Sequence, residues 1–120
     1  MDYEIKVSES GKFVVVKVFK EMTVEKGQQT AIESQSLASQ KGIKSFLYDV
    51  RDAPNTESPT SNYQFAYKGM PKFQGQRESK VAILTSPDDE SHDFLITVMT
   101  NAGYNVKRFT DEEPALNWLE

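Results

Sequence analysis

Residues 12–20, KFVVVKVFK, restrict the possible folds more than any other stretch of the chain. In an extended segment successive side chains point to opposite faces. Phe13, Val15 and Phe19 then share one face, interrupted by Lys17, while Val14, Val16 and Val18 share the other. A strand that is apolar on both faces must be covered on both, which predicts an interior strand in a sheet flanked by helices. Upstream, Tyr3, Ile5 and Val7 alternate with Asp2, Glu4 and Lys6, the pattern of a strand with one wet face. Ser10-Gly11 between the two runs predicts a tight turn in which glycine takes positive φ. The chain is therefore expected to open with a hairpin, residues 2–8 at an edge and residues 12–20 inside.

Helical periodicity follows. Thr23 is placed to cap a helix that runs to about Gln40, with Val24, Ala31, Ile32 and Ala38 as its apolar stripe and Leu37 on the flank. Gln28 and Gln35 interrupt that stripe, and Gly42 is the expected C-terminal stop. Phe46-Leu47-Tyr48 reads as a second buried strand, and Ser58-Pro59 as the start of a helix reaching about Gly69. Lys80 to Thr85 is a third buried strand. Ser86-Pro87 followed by acids predicts another helix start, with Leu95, Val98, Met99 and Ala102 as its buried stripe. Asn105 to Phe109 is a polar edge strand. Thr110-Asp111-Glu112-Glu113 has the form of a capping box, and Ala115, Leu116, Trp118 and Leu119 pin the last helix. The order β-β-α-β-α-β-α-β-α predicts one α/β domain over residues 1–120, with a mixed, mostly parallel five-stranded sheet.

Composition removes several functions. The chain has 120 residues and a formal charge of -4, without a basic stripe, so general nucleic-acid binding is not expected. Lys68, Lys72, Arg77 and Lys80, diluted by Glu78, read as solvated surface. There are no cysteines, hence no disulfide framework, thiolate nucleophile or cysteine metal site. No apolar run approaches a membrane span, and the opening MDYEIKV is already strand-like, so neither a span nor a signal peptide is expected. A cytoplasmic location is the default. The six glycines form no phosphate-binding fingerprint, and no cofactor or metal is predicted.

The hairpin start, the strand ending in Asp49 with a Ser opening the next helix, and the closing VKRFTDEEPALNWL resemble the STAS-like, SpoIIAA-like bacterial proteins. The resemblance spans nearly the whole chain, and the tail with Phe109 and Trp118-Leu119 is its most specific part. It implies an α/β sheet-and-helix domain without catalytic activity, working as a regulatory or binding module. Some relatives are anti-sigma-factor antagonists switched by phosphorylation of a Ser at the start of the helix after the central strand. That implies Ser58 here.

Other candidates come from the residues themselves. The carboxyl edge of a parallel sheet gathers ligands, and here it collects Lys20, Asp49, Arg51, Asp52, Ser58, Thr85, Ser86 and Thr110. Ser58, Ser86 and Thr110 are also explained as caps, and Asp49, Arg51 and Asp52 as a loop ion pair with an Asx-turn before Pro54. His92, the only histidine, is expected to be a solvated helix residue. Asp49, Thr85 and Lys107 also resemble the acceptor, sensor and contact residues of a receiver domain. Such a domain needs an acidic pair after its first strand, where this chain has Lys20-Glu21. Tyr63, Ala66, Tyr67 and Met70 would pack the helix after Pro59, leaving Phe65 and Phe73 surplus. Phe65, Met70 and Phe73 then mark either an interaction surface or a small satellite core. The partner expected is a protein or a small apolar ligand, and a homodimer is compatible with the pattern.

Overall fold

The two-faced apolar run becomes the second strand of a five-stranded sheet. A computed structural model describes residues 2–58, 60, 61 and 79–120. In chain order the elements are β1 (Tyr3–Val7), β2 (Val14–Val18), α1 (Val24–Lys41), β3 (Ser45–Asp49), β4 (Lys80–Leu84), α2 (Asp93–Asn101), β5 (Asn105–Phe109) and α3 (Glu112–Leu119). Strand order across the sheet is β1-β2-β3-β4-β5. β1 pairs antiparallel with β2, and every later pair is parallel. The expected hairpin, the interior strands and the polar edge strand are all present. Its turn uses Gly11 at φ 75°, with the Gly11 N–H donating to the Ser8 carbonyl at 3.0 Å.

Register decides which side chains share a face. Val14, Phe46, Val81 and Val106 form one cross-strand row, with Val16, Tyr48, Ile83 and Arg108 beside it. This face is covered by α1 over β1 and β2, and by α2 against β5. The opposite face carries Val15, Leu47, Ala82 and Lys107, then Lys17, Asp49, Leu84 and Phe109. There α3 seals Leu47, Ala82 and Leu84 with Ala115 and Leu119. Val14, Val16, Val18, Val50 and Leu84 are the large apolar residues most completely buried. Each such side chain contributes about 1.5–3 kcal/mol.

The ends of α1 follow local rules. The Thr23 hydroxyl accepts the Lys26 N–H at 3.2 Å. Gly42 closes the helix at φ 69°, and the following Ile43 N–H reaches the Ala38 carbonyl at 2.9 Å. Its buried face keeps Ala31 and Ala38 of the expected stripe, but Ile32 is 50% exposed, and Gly27, Thr30 and Ser34 are buried as well. Small residues let the helix approach closely. The Thr30 and Ser34 hydroxyls donate to the Gly27 and Ala31 carbonyls, so their burial leaves no bond unmade.

Three expectations are corrected. Ser86-Pro87 does not open a helix: residues 86–91 form turns and α2 begins at Asp93. The Asp89 carboxylate accepts both the Ser91 N–H (2.9 Å) and its hydroxyl (2.5 Å), a local bond that competes with helix. Thr110 is not the cap of α3, which has Asp111 in that position with no side-chain capping bond. β2 is interior yet not sealed on both faces: Phe19, past its end, is 40% exposed, because α3 reaches β3, β4 and β5 and leaves this part of the sheet open. Of the helix expected from Pro59 to Gly69 only Thr60 and Ser61 are described, both helical, while Phe65, Met70, Phe73, Lys68, Lys72 and Arg77 lie outside the described residues. Among the described residues no helix is long and apolar enough to cross a membrane.

Candidate functional site

The segment after β3 is organised by borrowed backbone bonds. Val50 N–H donates to the Leu84 carbonyl (2.9 Å) and Ala53 N–H to that of Val50 (3.0 Å). Met22 N–H then donates to the Pro54 carbonyl (2.8 Å), and Thr56 N–H to that of Met22 (3.3 Å). The loop is thus stitched to the start of α1. Glu57 completes the junction: its carboxylate accepts the Val24 N–H at 2.9 Å, at the positive end of α1.

This junction, α1 and α2 border a cavity of about 100 Å³ over β3 and β4. Its floor is Phe46, Tyr48, Val50, Val81 and Ile83; its walls include Ala31 of α1 and Leu95 and Met99 of α2. Most of its surface is apolar, and Gln35, Tyr48, Asn55, Ser79, His92 and Tyr104 are among the residues that add polar groups. The Tyr48 hydroxyl lies 3.3 Å from the Ser34 hydroxyl, and burial raises its pKa. Among the described lining residues there is no Lys or Arg, and Glu57 is the only carboxylate.

His92 forms the rim nearest the carboxyl edge. Expected in solvent, it is instead 4% exposed, with Nε2 2.8 Å from the Ala53 carbonyl and 3.9 Å from the Asp89 carboxylate. Burial pushes the imidazole below its ordinary value. The Ala53 bond and the charges of Asp89 and Asp93 oppose that shift, and Arg108 adds to it. Two further contacts hold this rim. Asn55 N–H donates to the Ser91 hydroxyl at 2.8 Å. Arg108 donates to the Thr85 hydroxyl and to the Asp89 carbonyl, both at 3.1 Å. A sequence signal for His92 existed: His92, Leu95 and Met99 stand at i, i+3 and i+7, so the imidazole extends the buried stripe. Glu57 had no such signal, because its partner is 33 residues away.

The edge residues do not form one site. On the α3 face, Asp49 Oδ1 accepts from Arg51 Nε (3.0 Å) and from the Arg51 N–H (3.3 Å). Its Oδ2 accepts from the guanidinium at 2.8 Å, with Lys17 Nζ at 3.6 Å. Burial raises the Asp49 carboxyl, and the Arg51 bonds together with the charges of Arg51 and Lys17 outweigh it, holding the group below its ordinary value. The expected ion pair is therefore present, and the Asx-turn is made by Asp49. Asp52 is exposed and adds only its charge to Arg51. Thr85 is fully buried on the other face, and Ser86 contributes its carbonyl to a turn with the Asp89 N–H. Lys20 is exposed and paired with Asp2 at 3.5 Å. Ser58 is exposed, and its hydroxyl accepts the Ser61 N–H at 3.1 Å, as a cap should. Among the described residues no group of three or more His, Cys, Asp or Glu is arranged to share a metal ion.

The chain matches no family model and no curated protein. A solved structure of an uncharacterised DUF3478-family protein from Shewanella loihica PV-4, described as having a SpoIIAA-like fold, is similar to it. The two share 21% identity with a TM-score of 0.57, over 98% of this chain and 92% of the other. The molecule is thus an α/β protein with a mixed five-stranded sheet. Its fold is the SpoIIAA-like fold that the sequence resemblance implies.

Proposed function

We propose that this protein is a non-enzymatic binding module that holds a small apolar ligand in the cavity between α1 and α2. The observation that carries this reading is the cavity itself: a mostly apolar surface from Phe46, Val50, Val81, Ile83, Leu95 and Met99, with polar side chains interspersed. An apolar cavity of about 150 Å³ stays dry and admits benzene, so a space of about 100 Å³ suits a short chain or small ring. Both Asp49 oxygens accept from Arg51, and the acidic pair that a phospho-acceptor needs to hold Mg²⁺ is replaced by Lys20-Glu21. Methyl-resolved NMR with pentane as probe tests the reading. Pentane should perturb Val81, Ile83 and Met99, and Ile83→Phe should abolish the effect with the fold retained. Unperturbed methyls, with a stably co-purifying protein indifferent to Ile83→Phe, would transfer the function to a protein partner.

A second reading rests on Ser58, which is exposed at a helix start with its hydroxyl on the Ser61 N–H. A phosphate there would meet helix N–H groups and add nearly two negative charges to the edge. Intact mass of the protein from its native cell checks it: a phosphorylated fraction mapped to Ser58 supports a switch, and a uniformly unmodified chain removes it.

A further inference from the structure

The polar chemistry of the cavity rim selects among apolar ligands. The Ala53 carbonyl can only accept, so the Nε2 it faces at 2.8 Å must carry the proton. Nδ1 of the neutral ring is then a lone-pair acceptor, and among the described residues the polar contacts of the ring run through Nε2. No buried side-chain nitrogen or oxygen among the described residues lacks a partner, so Nδ1 is not sealed off, and His92 is one of the residues that line the cavity. Charge points the same way. With no Lys or Arg among the described lining residues and the Glu57 carboxylate already present, an anion entering would lose its hydration without gaining a counter-charge from any of them. Glu57 itself is satisfied by the Val24 N–H and calls for no cation.

We propose that the cavity takes neutral ligands with an apolar body and one hydrogen-bond donor, such as an alcohol, bound with the donor on His92 Nδ1, and that it rejects carboxylates. This rests on the reading of the cavity as a ligand site. The donor on Nδ1 would leave the Nε2 bond to Ala53 intact, so binding needs no rearrangement of the rim.

Three probes of similar size separate the two ideas: pentane, 1-butanol and butyrate, each titrated at neutral pH into wild-type protein with labelled methyls and ¹⁵N-labelled histidine. Pentane should move the Val81, Ile83 and Met99 methyls and leave Nδ1 unchanged. 1-Butanol should move the methyls and shift Nδ1 in the direction of an accepted hydrogen bond. Butyrate should bind at least about tenfold more weakly than 1-butanol, since a desolvated anion finds no counter-charge among the described lining residues. Pentane and 1-butanol both bound with Nδ1 unmoved, or butyrate bound as tightly as 1-butanol, would overturn this inference and leave the ligand site standing. Silence of the methyls toward all three would overturn both.

Discussion

Replacing Asp49 by Asn tests whether the carboxyl-edge charge cluster is structural. The Asp49 side chain is 10% exposed, while those of its partners Arg51 and Lys17 are each 41% exposed. The pair lies between two regimes. A hydrogen bond to a charged group contributes about 1.5–3 kcal/mol when shielded, and an exposed ion pair about 0.2–1 kcal/mol. Asparagine keeps an oxygen for Arg51 Nε and turns the second oxygen into a donor facing the guanidinium and Lys17. The expected loss is about 1–2 kcal/mol, with the urea midpoint lowered at unchanged slope. For a domain of this size that is a Tm drop of about 4–8 °C. The pH dependence gives a second check. The folded carboxyl lies below its ordinary value of 3.8, so its contribution is complete above that pH and is lost as pH falls through the folded value. Wild type and Asp49→Asn should therefore converge in acid. Equal stability at neutral pH, or a difference that persists in strong acid, would refute the ion-pair account. Stoichiometric Mg²⁺ binding that disappears in Asp49→Asn would instead support phospho-acceptor chemistry.

Two further outcomes are expected. His92 is held neutral among Asp89, Asp93, Arg108 and the Ala53 carbonyl, and its folded pKa lies below the ordinary 6.5. The unfolded chain then binds the extra proton, so stability should fall as pH drops below 6.5, by at most about 1.4 kcal/mol per pH unit. His92→Gln should flatten that slope, and an unchanged slope in urea titrations would assign it elsewhere. Ser58→Ala should cost about 1 kcal/mol through the lost cap, while Ser58→Asp keeps an acceptor at a helix N-terminus and should cost little. Equal losses in both variants, read from urea midpoints, would show that the Ser61 N–H does not depend on residue 58.

What the sequence determined is local. The hairpin follows from alternation in Tyr3, Ile5 and Val7 and from Ser10-Gly11. The limits of α1 follow from Thr23 and Gly42, whose effects act within one helical turn. Two-faced apolar runs placed β2, β3 and β4 inside the sheet, because an interior strand has neighbours on both sides and helices over most of its apolar surface. The tertiary structure decided the rest. Ser86-Pro87 has the chemistry of a helix start, yet Asp89, Ser91 and the buried His92 hold those residues in turns. Ile32 is apolar and lies outside, while Thr30 and Ser34 lie inside, since close approach of α1 to the sheet favours small side chains with self-satisfied hydroxyls. The cavity belongs wholly to this second level. Glu57 reaches Val24 across 33 residues and His92 reaches Ala53 across 39, and no periodicity encodes a bond between positions so far apart. Patterning records which side chains must leave water; which of them meet, and where they leave a gap, depends on how helices settle on a sheet whose register is already set.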